Sequence, residues 1–174
     1  MSILIHRVFN SFNIVERVKY LTILVLVFSF LIVVIDQVLK HLSIAFLKPI
    51  GSVTVISNLL DLIYVENEGA AFGIFANQRW IFISFTFIAI AFVLYLLFAK
   101  KIRNKLFLVS STLIIGGGIG NLIDRIFLGY VVDYIRWSFF PAICNFADYC
   151  ISLGAILLMI YIVFFLEDKD KIKK

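Results

Sequence analysis

A chain of 174 residues that is 63% hydrophobic, with a mean hydropathy of +1.07, is too apolar for an ordinary soluble domain and reads as an integral membrane protein. Its net charge of +5 rests on only 16% charged residues, and the Lys and Arg lie at the ends of apolar runs. That suits an anionic membrane surface, whereas no basic stripe with interleaved aromatics argues for nucleic acid.

The first segment, Met1 to Lys19, is mixed and carries Arg7, Glu16, Arg17 and Lys19; no role is assigned to it. The apolar run from Tyr20 to about Leu39 is long enough to span, since roughly 20 apolar residues cross a bilayer core. No small-x-small cleavage site follows it, and its far end carries Asp36-Gln37 and Lys40, so an uncleaved first helix is expected. Lys48-Pro49-Ile50-Gly51 then signals a turn. Ser52–Ile56 and Leu60–Val65 are rich in Val, Ile, Thr and Tyr, which predicts a small sheet over about 52–66. Open sheet edges cannot face lipid, so this sheet belongs at the membrane surface.

Glu66-Asn67-Glu68-Gly69-Ala70-Ala71-Phe72-Gly73 follows, polar and then small. Further spans are expected at about 80–99, 106–123 and 146–166, with a charged tail. The glycines at 116, 117 and 120 predict a seam where a neighbouring helix approaches closely. A phosphate loop would need a Lys and a Ser or Thr that are missing there. Of the 16 basic residues, eleven fall in the first segment, the loop between spans two and three, and the tail; Lys40, Lys48, Arg79, Arg125 and Arg136 fall on the other side. The positive-inside rule then places both termini in the cytoplasm and the sheet outside. Trp80 and Trp137 fall near the outer interface, where indoles prefer to sit.

Ionisable groups concentrate between Gly116 and Asp148, and they cost about 2.5–3.5 kcal/mol each at a helix centre in a bilayer. Asp36, Asp124, Asp133 and Asp148 all fall at one depth, the outer edge. Two carboxylates meeting there cannot both ionise; the pair keeps one proton, and one member serves as base while the other serves as acid. That chemistry hydrolyses an amide without a metal or a covalent intermediate. No Ser or Cys lies in a motif with His, so a nucleophilic triad has no support. Cys144 and Cys150 fit neither zinc nor redox spacing and read as free thiols, and His6 and His41 lie far apart. No metal and no cofactor is expected.

Structural readings stand beside these. Asp124-Arg125 reads equally as an ion pair or cap, Asp36 with Lys40 as an i, i+4 salt bridge, and Asn67, Asn121 and Asn145 as loop ties. A proton-coupled transporter using the carboxylates as a relay is the main alternative function, and an assembly factor a second. The residues alone do not choose Asp133 over Asp124.

Five motifs in order carry a resemblance: Asp36-Gln37 with Lys40; Asn67-Glu68-Gly69-Ala70-Ala71-Phe72; Gly117-Gly118-Ile119-Gly120-Asn121-Leu122-Ile123-Asp124-Arg125; Val132-Asp133; and Asn145-Phe146-Ala147-Asp148. From about Leu31 to Leu166 the chain resembles lipoprotein signal peptidase, the bacterial signal peptidase II. The resemblance implies one membrane domain of four transmembrane helices with a small extracytoplasmic sheet. It implies an aspartic endopeptidase of the bacterial inner membrane that cleaves prolipoproteins before a diacylglyceryl cysteine. It maps the catalytic pair onto Asp133 and Asp148, and a supporting shell onto Asp36, Lys40, Asn67, Gly69, Asn121, Asp124, Arg125 and Asn145. The expected partners are the prolipoprotein and membrane lipids, with no nucleic acid, and the chain is expected to act as a monomer. Cys144 departs from the family, which commonly has Phe there.

Overall fold

The computed structural model describes residues 2–69, 78–98, 102 and 104–165, without the side chains of residues 2–15, 17 and 18. Residues 70–72 of the second motif, Gly73, Ala99 at the expected end of the second span, Lys100, Lys101, Arg103 and the tail from residue 166 lie outside the described residues. Four helices are long and apolar enough to cross a bilayer. Helix α1 runs Ser2–Leu42, α2 Arg79–Phe98, α3 Lys105–Phe127 and α4 Phe146–Phe165.

The first helix is longer than expected. Nothing between Ser2 and Lys19 breaks a helix, since the segment holds neither Gly nor Pro, and the helix simply continues through it, while the span long and apolar enough to cross a bilayer begins at Lys19. At its other end α1 passes into one π-helical turn, Ser43–Leu47, closed by Lys48 N–H donating to the Ser43 carbonyl at 2.9 Å. Pro49 then bars continuation, and Gly51, at φ +79°, turns the chain into the sheet.

The sheet is larger than the sequence indicates. Strands β1 (Ser52–Ile56) and β2 (Leu60–Asn67) form the expected hairpin, turned through Asn58 at φ 56°. Two more strands, β3 (Val131–Trp137) and β4 (Ile143–Cys144), come from the α3–α4 link, which the sequence reading left as a plain connection. The four lie antiparallel in the order β1-β2-β3-β4. A lone two-stranded hairpin is marginal in water, and β3 supplies the partner it needs. The β2–β3 register pairs Val65 with Asp133 and Asn67 with Val131, so Asn67 and Asp133 share one face.

Helix α3 is the centre of the bundle. Its glycines face neighbours on two sides, as the seam required. A Cβ on Gly117 would lie 2.6 Å from the Ala147 carbonyl of α4, and one on Gly120 would lie 2.5 Å from an Asp36 carboxylate oxygen of α1. At one end an apolar core gathers Val25, Val93, Leu97, Phe107, Ile115 and Tyr161, with the Phe107 and Tyr161 rings 5.4 Å apart. At the other end the sheet packs Val132 and Tyr134 onto Leu47 at the π-turn. Between that packing and the helix ends lie the buried polar residues.

Candidate active site

Helix α4 begins with a capping box. Asn145 is its N-cap: the Asn145 side-chain oxygen accepts from Asp148 N–H at 2.9 Å, and an Asp148 carboxylate oxygen accepts from Asn145 N–H at 3.0 Å. The other two free N–H groups of the first turn are also taken. Phe146 N–H donates to the Tyr134 hydroxyl at 3.3 Å, and Ala147 N–H donates to Asp36 Oδ1 at 3.0 Å. The sequence Asn-x-Ala-Asp is thus a helix start whose acidic member lies at the third helical position.

Asp133 reaches the same point from strand β3. Its Oδ1 accepts from Asn145 Nδ2 at 2.7 Å and its Oδ2 from Asn67 Nδ2 at 2.7 Å. Asn145 therefore touches both carboxylates, Asp133 through its side chain and Asp148 through its backbone. Asp148 completes its set by accepting from Asn121 Nδ2 at 2.8 Å. All four carboxylate oxygens hold a fixed donor.

The amides cannot turn over. Each side-chain oxygen sits on a group that can only donate: Asn67 Oδ1 on Gly69 N–H at 3.0 Å, Asn145 Oδ1 on Asp148 N–H, and Asn121 Oδ1 on Lys40 Nζ at 2.8 Å. Every NH₂ group is consequently aimed at a carboxylate. Asn121 Oδ1 also accepts from Asn145 Nδ2 at 3.1 Å, which joins the amides into one network.

Lys40 is the buried cation of the cluster, 1% exposed. It pairs with Asp36 at 2.8 Å and Asp124 at 3.0 Å. Three acceptors use its three protons. Asp124 holds in addition Gln37 Nε2 at 2.9 Å and the Val132 N–H at 3.0 Å, so it ties α1 to α3 and α3 to β3 one residue before Asp133. Asp124 thus pairs with Lys40 across helices, while Arg125 turns elsewhere. Its guanidinium lies 5.0 Å from the Phe82 ring centroid and donates to the Gly69 carbonyl at 3.3 Å, and its charge acts on both Asp133 and Asp148.

The two carboxylates differ in setting. Asp133 is 2% exposed, and burial above all, with the Asp148 charge second, pushes its pKa up to about 7; the two amide donors and Lys40 oppose that shift. Asp148 is half-buried at a helix N-terminus. A buried carboxyl beside a more solvated carboxylate, with amides holding both, is an arrangement that can activate a water and protonate a leaving group. Among the described residues no group of three or more His, Cys, Asp and Glu is placed to hold a metal ion.

Every supporting residue drawn from the motifs contacts this network: Asp36, Lys40, Asn67, Gly69, Asn121, Asp124, Arg125 and Asn145. Two contributors went unread. Gln37, though part of the first motif, bridges Asp124 and the Gly120 carbonyl (3.1 Å), and Tyr134 caps α4. The signal for Gln37 was its place beside Asp36; for Tyr134 nothing short of the fold shows that its hydroxyl meets a helix end. Cys144 lies in β4, and burial together with the nearby carboxylates pushes its thiol up to about 11, so it is a poor nucleophile.

Comparison with known proteins gives one result at every level. Residues 28–164 match the family model described as signal peptidase (SPase) II. The chain is 46% identical over 133 residues to the lipoprotein signal peptidase of Caldanaerobacter subterraneus subsp. tengcongensis, covering 76% of this chain and 91% of that one. It is 40% identical over 148 residues to the protein of that name from Lactobacillus johnsonii, covering 84% and 96%. A bacterial membrane enzyme solved at 2.3 Å superposes with a TM-score of 0.73 at 30% identity, covering 84% of this chain and 90% of that chain. A second, at 1.9 Å, gives 0.71 at 31% identity, covering 81% and 93%.

Proposed function

The chain belongs to the signal peptidase II family, and from that premise we propose that Asp133 and Asp148 are its catalytic pair, acting on a lipoprotein precursor at the outer face of the bacterial membrane. It is a membrane protease, and no relative supports the transporter alternative. The observation that carries the catalytic reading is Asn145, whose side chain holds Asp133 and whose N–H holds Asp148, so that one residue brings two acids together from a strand and a helix.

The chemistry follows. One carboxylate takes a proton from a water as the water oxygen attacks the scissile carbonyl carbon; the other acid gives its proton to the carbonyl oxygen. In the second half the first acid protonates the amide nitrogen and the second recovers a hydroxyl proton as the C–N bond breaks. A carboxyl end and a free amine leave, and the pair returns to its starting state. The peptide before the cut is itself a membrane segment, so its scissile bond is presented near the interface. Apolar residues on the outer sheet, Val53, Val55 and Ile56, together with Trp80 and Phe139, suit that interface.

Further parts of the reading are that the substrate cysteine carries a diacylglyceryl group, that both termini lie in the cytoplasm, that residues 1–174 form one domain, and that the enzyme acts as a monomer. The test is cleavage of a purified diacylglyceryl-prolipoprotein in detergent. Asp133→Asn and Asp148→Asn should each lower kcat by about 10³-fold or more with the protein folded. Full activity in either variant refutes the pair. Unmodified prolipoprotein should be left uncut, and chelators should leave the rate unchanged.

A further inference from the structure

We infer that the membrane boundary of α2 holds a second site, outside the catalytic network, for one membrane lipid. The ligand is a zwitterionic aminophospholipid, with its phosphate on Arg79 and its ammonium on Glu68. The site is a cavity of about 300 Å³ lined by Glu68, Arg79, Trp80, Leu128, Gly129 and Tyr130. Three parts of the chain build it. Glu68 follows strand β2, Arg79 and Trp80 open helix α2, and Leu128, Gly129 and Tyr130 form the turn from α3 into β3.

An acid and a base line this one cavity, yet no salt bridge joins them, and neither has an ion-pair partner among the described residues. Arg79 is held on its own side. Its guanidinium lies 5.0 Å from the Trp80 ring centroid. Its Nη1 lies 3.3 Å from where a Cβ on Gly129 would stand, so Gly129, at φ +91°, leaves the room that the guanidinium uses. A ligand that answers both walls carries a negative and a positive charge of its own. Phosphate suits Arg79, because the planar fork of the guanidinium matches its oxygens two at a time. A primary ammonium suits the Glu68 carboxylate, since it brings three donors to an acceptor-only group.

The surroundings favour a lipid over a soluble zwitterion. Arg79 is the first residue of a helix long and apolar enough to cross a bilayer, and Trp80 beside it is 67% exposed, as an indole at headgroup level would be. Leu128 also lines a second cavity, of about 290 Å³, whose walls include Ile44, Ile123, Phe127 and Val132. Lys40 and Asp124, which border that space, are already paired with each other, so what it offers a ligand is apolar wall. With the headgroup in the first cavity, one acyl chain passes Leu128 into the second. The headgroup then ties the end of β2 to the start of α2 and to the α3–β3 turn. Glu68 stands between Asn67, which holds Asp133, and Gly69, whose carbonyl accepts from Arg125, so the lipid steadies a segment beside the catalytic pair.

The experiment takes the full-length protein, stripped of lipid in detergent, and reads binding by native mass spectrometry and Tm by thermal melting. Dioleoyl-phosphatidylethanolamine should bind at one per chain and raise Tm. Dioleoyl-phosphatidylglycerol lacks the ammonium and should bind about tenfold more weakly. Dioleoylglycerol lacks both charges and should leave Tm unchanged. Equal affinity for the two phospholipids overturns the proposal, and that comparison needs no variant. Glycerophosphoethanolamine, the headgroup without chains, should give no comparable rise in Tm; protection equal to the lipid's makes the ligand a soluble one and overturns the membrane source. Arg79→Gln and Glu68→Gln, both at exposed positions, should each weaken phosphatidylethanolamine binding by about tenfold, and Glu68→Gln should also erase the preference over phosphatidylglycerol. Lys48→Gln removes an exposed cation outside the cavity and should leave binding unchanged. Equal loss in all three variants means diffuse surface charge and overturns the site. Release of the bound lipid by diacylglyceryl-prolipoprotein gives the cavity to the substrate and overturns it as well.

Discussion

Asp133 is the residue on which pH should be read. Its folded pKa of about 7 lies above the ordinary carboxylate value, so the folded protein binds the extra proton more tightly than the unfolded chain. Stability from this group is therefore full at low pH and is lost as pH rises toward 7. Asp133→Asn should melt at the wild-type temperature near pH 4 and above it at pH 8, by the equivalent of roughly 4 kcal/mol at most. A melting difference that grows in the acid direction would contradict the burial argument. For the same reason wild-type cleavage should decline as pH passes about 7 upward, when the pair loses its proton. At this scale the sequence was legible in kind but not in role. It showed the acids and amides, yet Asp124 and Asp133 looked alike. What separates them is occupancy: Asp124 is filled by Lys40, Gln37 and a peptide N–H, while the Asp133 oxygens accept from side-chain amides beside another acid.

The elements place these residues, and the tightest joint is between α3 and α4. Gly117 faces the Ala147 carbonyl so closely that any Cβ must push the first turn of α4 aside, and Asp148 rides on that turn. Gly117→Ala should keep the helical content seen by circular dichroism while lowering kcat by at least about tenfold, since small misplacements of reacting groups are costly. A Cβ on Gly118 would find side-chain atoms of Ile90 and Thr86 nearest, at 3.1 Å and beyond, and its alanine variant should retain more activity. Equal loss at the two positions would argue against a specific α3–α4 contact. Spans α2, α3 and α4 were readable within a few residues because about 20 apolar residues in a row leave little choice. Strand β3 was not read. Val131-Val132-Asp133-Tyr134-Ile135 is a β-branched and aromatic run, but its pairing partner lies some seventy residues earlier in the chain, and no local pattern reports a long-range register.

At the scale of the whole molecule, polarity is segregated along the bundle. One end packs Phe107, Leu97 and Tyr161 without a charge among them; the other carries Asp36, Lys40, Asp124, Asp133 and Asp148 beneath a sheet. The orientation proposed from the basic residues would make the sheet end external. A membrane-impermeant maleimide should label Ile50→Cys, an exposed turn residue, in intact cells, with the native Cys144 and Cys150 contributing little because both are at least partly buried. Labelling only after cell lysis would invert the topology. Charge counting can propose an orientation because the distribution of basic residues is a property of composition along the chain. It could not give the closure of the sheet by a segment from the far half of the sequence, which depends on where α3 ends.

The capping box at the start of α4 has one more consequence, for medicinal chemistry. A compound that grips Asp148 and Asn145 grips the same two residues that fasten the helix end. A bacterium that alters either to escape the drug gives up the proposed catalytic acid or loosens the helix end that carries it. Resistance would have to arise elsewhere, in permeability, in expression level, or on outlying surfaces such as β1 that the compound barely touches.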